Sequence, residues 1–183
     1  MSNSRRKGAK AERVASKVIS KWTGKGFAKT PASGGLNWKK SFVAGDVVCT
    51  TEGHFCPFCF EVKSYSKIDF SHLINPKIKD PEILDFWAQA KRDAEKVNKI
   101  PMLMMRYNGL PKEFYFVVLD MVAFTIITTS FPLEIGVTSL KYNSNQKQSL
   151  IIIPSTDFFT LPYKGVRLIA KKLIRKRYGK KEK

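Results

Sequence analysis

The spacing of apolar and polar residues predicts a mixed α/β protein. Apolar residues recur at helical intervals over 7–21, and two nearby glycines end that pattern. Three short runs built on β-branched or aromatic residues follow, at 27–30, 45–48 and 60–63, and each is typical of a strand. The first part of the chain is therefore predicted to fold as a helix followed by three strands.

A second helix is predicted to begin at Asp80-Pro81-Glu82, because Asp is a favourable N-cap and Pro a favourable first helical residue. Two apolar strands follow it, at 101–107 and 113–119, with the turn signal Asn108-Gly109 between them. The resulting order, α-β-β-β-α-β-β, is that of a layered α/β fold. The second helix is predicted to bury a stripe of apolar side chains: Ile83, Leu84, Trp87, Ala88, Ala94 and Val97.

The pattern is less decisive after residue 120. Residues 122–129 suit either a helix or a strand, 150–154 suits a strand, and a basic amphipathic helix begins near Tyr163. We divide the chain into a core over 1–120, additional strands or a subdomain over 121–163, and a basic helix and tail over 164–183. The apolar side of the last helix is predicted to contain Val166, Ile169, Ala170, Leu173 and Ile174.

Two of the predicted strands carry charged side chains within apolar sequence. Because strand side chains alternate between faces, Glu61 and Lys63 share one face and Val62 points to the other. A turn over 52–54 would pair the strands antiparallel and bring Asp46 beside them. Two carboxylates and one ammonium on one face suit the binding of a divalent cation and the hydrolysis of a phosphodiester. The alternative interpretation is a solvated polar face of an amphipathic hairpin.

Charge narrows the choice of partner. The 183 residues include 33 Lys and Arg against 15 Asp and Glu, a net charge of +18. A field of that sign attracts polyanions, so nucleic acid is the expected partner and an anionic membrane surface comes second. No run of eighteen apolar residues occurs, and the basic N-terminal residues lead into a charged segment. We therefore expect no membrane span and no signal peptide, and a cytoplasmic protein (host cytoplasm if viral).

The cysteines do not indicate a disulfide framework, because their number, three, is odd. Cys56 and Cys59 have CxxC spacing, and Cys49 and His54 are the candidates that would complete a zinc set. These four residues do not form the two clean, separated pairs that structural zinc sites usually use. We therefore expect no structural Zn²⁺ and interpret the CxxC pair as incidental thiols.

Two other stretches carry candidate functional residues. Glu12 lies at the border of the first helix's apolar stripe, where it either points toward the sheet or is an ordinary surface glutamate. The loop Pro31-Ala32-Ser33-Gly34-Gly35 would let a ligand approach the backbone, and Trp38-Lys39-Lys40 could contact phosphates and stack on a base. The alternative is a flexible connector whose Trp packs on the core.

Taken together, these motifs resemble those of the PD-(D/E)XK nucleases, and among them the archaeal-type Holliday junction resolvases. The motifs occur in that family's order and at similar intervals over about the first third of the chain. They are Lys7-Gly8, Glu12-Arg13, Gly26-Phe27, Pro31-Ala32-Ser33-Gly34-Gly35, Gly45-Asp46-Val47-Val48 and Glu61-Val62-Lys63-Ser64. The resemblance implies a restriction-endonuclease-like core, with a central mixed β-sheet flanked by helices, and here a C-terminal extension.

The resemblance also implies roles for individual residues. Asp46 and Glu61 would coordinate Mg²⁺, for which Mn²⁺ would substitute, and Glu12 and the backbone carbonyl of Val62 would complete the site. Lys63 would orient or deprotonate the attacking water, or offset negative charge in the transition state. Together with Ser33 of the glycine-containing loop, the side chains of Glu12, Asp46, Glu61 and Lys63 would form the catalytic centre of a metal-dependent phosphodiesterase.

Further residues are expected near the substrate. Ser33 matches the family's loop serine beside the scissile phosphate, Gly45 stands where many members have proline, and nothing beyond about Tyr107 matches the family. The basic C-terminal helix suits phosphate contact or, alternatively, solubility. The residues expected to bind DNA are Arg5, Arg6, Lys7, Arg13, Lys29, Trp38, Lys39, Lys40, Lys171, Lys172 and Arg175.

Three functions fit the sequence. The first is a Mg²⁺-dependent, structure-selective DNA endonuclease of recombination, most directly a Holliday junction resolvase acting as a two-fold homodimer on four-way junctions. The second is a related nuclease in DNA repair, restriction or viral genome processing. The third is a non-catalytic, basic nucleic-acid-binding protein, which the set of three acids disfavours. Apolar residues between Phe114 and Phe131 are candidates for the dimer interface or, equally, for the core.

Overall fold

A computed structural model of the chain describes residues 3–31, 43–67, 82–131, 138–141 and 149–179. The helices are α1 (Asn3–Thr23), α2 (Glu82–Lys96), α3 (Met121–Ser130), α4 (Ser155–Phe158) and α5 (Tyr163–Tyr178). The strands are β1 (Phe27–Lys29), β2 (Val47–Cys49), β3 (Phe58–Tyr65), β4 (Ile100–Tyr107), β5 (Phe116–Asp120), β6 (Thr138–Lys141) and β7 (Ser149–Pro154). The predicted N-cap at Asp80 lies outside the described residues.

One mixed sheet joins the seven described strands in the order β1-β2-β3-β4-β5-β7-β6. Strands β3 and β4 run parallel, with α2 as the connection between them, and the other neighbouring pairs are antiparallel. The predicted α/β architecture, a mixed sheet flanked by helices in the manner of restriction endonucleases, is confirmed. The predicted antiparallel pairing of the two motif-bearing strands, β2 and β3, is also confirmed.

Apolar cores cover both faces of the sheet. On one face, Val62, Met102 and Met104 point into a core shared with α1, α3, α4 and α5. On the other face, Leu103 and Met105 pack against α2. Because side chains alternate along a strand, this arrangement puts Glu61 and Lys63 on the α2 face and Val62 on the opposite one, as the strand period predicts.

Helix α2 buries a slightly different stripe from the predicted one. Its buried residues include Ile83, Trp87 and Ala94, as predicted, together with Phe86 and Ala90. Three members of the predicted stripe are only half-buried: Leu84, Ala88 and Val97. The buried face of α2 is therefore rotated toward Phe86 and Ala90 relative to the prediction, because these side chains pack against the apolar residues of the sheet.

The second half of the chain completes the sheet and one core. Residues 122–129, which suited either a helix or a strand, lie within α3, because the Asp120 carboxylate caps the helix by accepting from the Ala123 N–H at 2.8 Å. Strand β6 was not predicted. In the stretch from Phe114 to Phe131, Tyr115, Ala123 and Ile127 belong to the core. Within the described residues, no helix is long and apolar enough to span a membrane.

Candidate active site

The backbone fixes Asp46 at the start of β2. Its N–H donates to the Phe60 carbonyl at 2.7 Å, and its own carbonyl accepts from the Thr30 N–H at 2.8 Å. The carboxylate Oδ2 accepts from the Val62 N–H, also at 2.8 Å. Asp46 is therefore tied across β2 and β3 by both main chain and side chain, and this places its carboxylate next to the Glu61-Val62-Lys63 segment.

Gly45 makes that placement possible. Its φ is +87°, a region that L side chains rarely adopt, and an added Cβ would lie 2.6 Å from the Phe60 carbonyl oxygen. Proline, which many members of the resembled family have here, fixes φ near −65° and cannot adopt this backbone. The glycine is therefore required by the local conformation of this chain.

Glu61 and Lys63 form a supported pair on the α2 face of the sheet. The Glu61 side chain is 3% exposed, and its Oε1 lies 2.8 Å from the Lys63 Nζ. Lys63 also donates to the Gln89 Oε1 of α2 at 2.8 Å, and its ammonium lies 5.5 Å from the Phe86 ring centroid. Three contacts thus hold the ammonium in one place, where a free lysine would sample many rotamers.

The pKa values of the Glu61 and Asp46 carboxyl groups are both raised. Burial, and next the charge of Asp46, raise the pKa of Glu61 to about 7, although the contact with Lys63 opposes the rise. Burial raises the pKa of Asp46 as well; the hydrogen bond from Val62 opposes that rise, and the charge of Glu12 adds to it. Asp46 therefore lies within electrostatic reach of both Glu12 and Glu61, a concentration of negative charge that a cation would relieve.

Glu12 reaches this region from α1. It is half-buried and forms an ion pair with the Lys29 ammonium of β1. This ion pair with a β1 residue shows that Glu12 points toward the sheet, so of the two interpretations of this residue the structure supports the sheet-facing one. Lys29, predicted to touch phosphate, is here the partner of Glu12.

The three acids do not form a closed ligand set. Among the described residues, no group of three or more His, Cys, Asp and Glu side chains has the arrangement of a metal site. Each acid instead has a local partner: Lys29 for Glu12, the Val62 N–H for Asp46, and Lys63 for Glu61. The donor chemistry is nevertheless that of a hard divalent cation, because the groups supply carboxylate oxygens and the charge of Asp46 acts against that of a buried neighbour, Glu61.

A basic cleft of about 460 Å³ lies between α1 and the end of β3. Ser64, which follows Lys63 directly, lines it together with Lys7, Lys10, Arg106 and Lys112. The Arg106 guanidinium is held by the carbonyls of Lys112 at 2.6 Å and Leu110 at 3.2 Å, and it lies 5.5 Å from the Tyr115 ring centroid. The cleft thus brings several cations from α1, β4 and the loop after β4 to the end of β3.

The remaining predicted residues fall into three groups. Arg6, Lys7 and Arg13 are exposed on α1, and Lys172 and Arg175 are exposed on α5, with Lys171 half-buried beside them. Arg5 belongs to α1, but its side chain lies outside the described part of the structure. The other predicted contacts also lie outside the described residues: Ser33, Trp38, Lys39 and Lys40.

Two residues of the site were not predicted from the sequence. Gln89 lies three residues after Phe86, so both sit on the side of α2 that meets Lys63. Because Gln89 is polar, it falls outside the predicted apolar stripe. A polar residue at the border of such a stripe can nevertheless contact a buried charge. Arg106 ends an apolar strand, and no sequence signal marked it.

The cysteines are free in the structure. Cys56 and Cys59 are buried and Cys49 is half-buried. Burial raises the pKa of Cys56 to about 11 and that of Cys59 to about 12. Both thiols therefore stay protonated at neutral pH, and a protonated thiol is a poor nucleophile and a poor metal ligand.

Comparison with known proteins identifies the family. A family model described as "Phage putative PDDEXK endonuclease" matches residues 3–173. No curated protein and no solved structure gives a match. The family match confirms the PD-(D/E)XK superfamily inferred from the motifs, and the closer likeness to archaeal-type Holliday junction resolvases stays a prediction. PD-(D/E)XK nucleases generally use divalent metal ions, and they act on DNA. Since the match covers most of the chain, the protein belongs to this family of phage PDDEXK endonucleases.

Proposed function

We propose that the protein is a Mg²⁺-dependent, structure-selective DNA endonuclease that acts as a Holliday junction resolvase. The observation that carries the proposal is the convergence of the Asp46 and Glu61 carboxyl groups beside the positioned Lys63 ammonium. A pure phosphate-binding protein gains nothing from buried acids next to its ligand, because they repel it. A metal-dependent hydrolase needs them.

Asp46 and Glu61 would hold the cation, with Glu12 and the Val62 carbonyl completing its ligands. Their fit rests on oxygen-donor chemistry and on the raised pKa values of Asp46 and Glu61, which an added positive charge would lower. When bound, such a cation supplies the positive charge that activates water and stabilises the phosphate transition state. To become a ligand of the cation, Glu12 must break its ion pair with Lys29. Lys29 would then be free to contact a phosphate oxygen.

Lys63 would act directly on the reacting groups. Its ammonium is held by Glu61, by the Gln89 amide oxygen and near the Phe86 ring, so its position is set before DNA arrives. A positioned ammonium can orient water by hydrogen bonding and can offset the charge that develops on the scissile phosphate. Gln89 is then a positioning residue, since it acts through Lys63.

The DNA path is proposed to follow the basic cleft beside β3. The cations of that cleft come from α1, β4 and the loop after β4, at the end of β3 that follows Lys63, and Arg6 and Arg13 are exposed on α1. Phosphate contacts of this kind position DNA without reading bases, so selectivity would come from the shape of the substrate. A four-way junction has two related cleavage points, and a two-fold homodimer would present one active site to each.

The test is cleavage of a labelled four-way junction beside linear duplex, flap and single-stranded DNA, with Mg²⁺ or EDTA. The matched control is Asp46→Asn, which keeps an oxygen able to accept from the Val62 N–H but removes the charge. Paired symmetrical nicks on the junction alone, absent with EDTA and in the variant, are the expected result. Tight binding without metal-dependent cutting of any substrate would overturn the proposal and leave a basic binding protein.

A second candidate keeps the active site and changes the substrate. The matching family is described by its occurrence in phage, which favours repair or processing of viral genomes as a setting. Metal-dependent cutting of the linear or flap DNA in the same experiment, at a rate equal to or above that on the junction, would favour this candidate over a resolvase.

A further inference from the structure

An exposed phenylalanine gathers positive charge at the end of the sheet where β3 and β4 begin. Phe55, in the loop before β3, is 40% exposed. The Lys99 ammonium lies 5.7 Å from its ring centroid, and the Lys171 ammonium of α5 lies 5.6 Å from it. The Arg167 Nε, one helical turn before Lys171, donates to the Phe55 carbonyl at 2.9 Å. The loop, the α2–β4 connection and α5 therefore meet at one side chain.

The neighbouring histidine adds no charge to these three cations. His54, next to Phe55, shares a 2.8 Å hydrogen bond with the Tyr163 hydroxyl at the start of α5. Burial, and next the charges of Arg167, Lys25 and Lys171, lower the pKa of His54, so this ring is neutral at physiological pH. The Phe55 cluster, as we name Lys99, Arg167 and Lys171 at Phe55, thus receives no extra charge from the histidine.

No carboxylate balances these cations in the described part of the chain. The ion pairs there use Lys29, Lys63, Lys96 and Arg177, and none uses a member of the Phe55 cluster. Surface lysines are normally mobile, yet here two of them are held against a ring and an arginine is held by a backbone carbonyl. Like charges held together in this way are stabilised when an anion binds.

A cavity adds shape to this charge. It has a volume of about 210 Å³ and is lined by Phe55, Lys99, His54 and Cys49, with the apolar side chains of β1 to β3 behind them. It is smaller than the cavities that hold whole drug-sized ligands, so it suits part of a larger molecule that continues outside.

The geometry points to a second DNA-binding site, in which the Phe55 cluster holds a backbone phosphate away from the scissile one. The inference rests on the proposed nuclease function for its choice of DNA as the anion. The cluster lies at the end of the sheet where β3 begins. Glu61 is three residues along β3 from its first residue, Phe58, which is a distance of about 10 Å at the usual strand rise. Successive phosphates of one DNA strand are about 3.4 Å apart along the helix axis, so one DNA molecule is long enough to reach both sites.

The ring has a specific part in this site. It draws two ammonium groups together through cation–π contacts without supplying a carboxylate, which would compete with phosphate for them. A leucine at position 55 would keep the apolar bulk of the loop and remove this attraction. Phe55→Leu therefore separates the role of the ring from simple packing.

The experiment measures DNA affinity in EDTA, where no cutting occurs, for duplex and single-stranded DNA between 50 and 200 mM salt. The variant is Lys99→Ala/Lys171→Ala, and Lys91→Ala/Lys176→Ala is the control with the same change in net charge outside the cluster. Loss of the phosphate held by these two lysines should lower the slope of log affinity against log salt by about one. The affinity deficit relative to wild type should then be about threefold larger at 50 mM than at 200 mM salt.

Each outcome bears on the site. The site is supported by a lower slope in the cluster variant, an unchanged slope in the control and a smaller decrease of the slope in Phe55→Leu. The DNA form that shows the larger decrease, duplex or single-stranded, is the form that the site holds. An unchanged slope, or equal loss in the control, would overturn it. Cleavage by wild-type protein with Mg²⁺ is scored separately: if wild type binds but never cuts, the proposed nuclease function fails, whereas the phosphate site is still judged by the slopes.

Discussion

Replacing the buried acid Glu61 by its neutral isostere should stabilise the metal-free protein while abolishing cleavage. An unfolded glutamate ionises near its ordinary pKa of 4.5, whereas in the folded protein the pKa of Glu61 is about 7. Between these values the folded form still holds a proton that the unfolded form has lost, so the free energy of unfolding falls as pH rises. Glu61→Gln carries no such penalty, because its amide never ionises.

The size of the effect follows from the two pKa values. At 1.36 kcal/mol per pH unit, the rise from 4.5 to about 7 corresponds to about 3 kcal/mol at pH values above both. The Gln amide group must also turn its NH₂ away from the Lys63 ammonium, so we expect a gain of about 1–3 kcal/mol at pH 8. For a chain of this length that is roughly 3–10 °C in Tm.

The assay is urea unfolding of wild type and Glu61→Gln in EDTA at pH 5 and pH 8. The gap between them should grow by about 2.5 kcal/mol over that interval, and below pH 4.5 only the pH-independent cost of the Gln amide should remain. Glu52→Gln, at an exposed loop position, is the control and should stay within about 0.5 kcal/mol of wild type at both pH values. A gap that is absent at pH 8, or that does not grow with pH, would refute the reasoning.

Three further predictions follow from the site. Mg²⁺ should raise the Tm of wild type but not that of Asp46→Asn, as thermal melting with and without EDTA will show; equal shifts would mean that the cation binds elsewhere. Gln89→Ala should lower kcat by roughly 10–100-fold with DNA affinity in EDTA unchanged, because it releases Lys63 without touching the cleft, and an unchanged kcat would remove Gln89 from the site. Gly45→Ala should lower the free energy of unfolding by about 2–4 kcal/mol, as urea unfolding will measure. The control is Gly53→Ala, where φ is +66° and an added Cβ would have nothing within 4 Å, and it should lower the free energy of unfolding by only about 1 kcal/mol. Equal losses would show that the close approach of residue 45 to Phe60 is unimportant.

Strand periodicity was enough to predict the centre of the site. Alternation alone places Glu61 and Lys63 on one face and Val62 on the other, and the structure has this arrangement. Antiparallel pairing with β2 then brings Asp46 alongside, as expected. These relations are local, since they depend on residues that are close in sequence or joined by one short turn.

Other features depend on distant parts of the chain and could not be predicted in this way. Residues 121–130 are apolar and β-branched on all sides, so no period distinguishes a helix from a strand, and the capping carboxylate of Asp120 decides in favour of the helix. The contact of Gln89 with Lys63 depends on how α2 is rotated over the sheet. The gathering of Lys99 and Lys171 at Phe55 joins three segments that are far apart in sequence.

The packing of α1 against the end of the chain has a consequence for the timing of activity during synthesis. The Trp22 Nε1 donates to the Leu161 carbonyl at 2.9 Å, and the core around Ala11, beside Glu12, includes Val166 and Leu173 of α5. At translation rates of about 5–20 residues per second, α5 emerges on the order of ten seconds after Glu12. A nascent or truncated chain without α5 carries the acids but lacks the partner that seats α1, so the nuclease would become competent only after α5 has been synthesised.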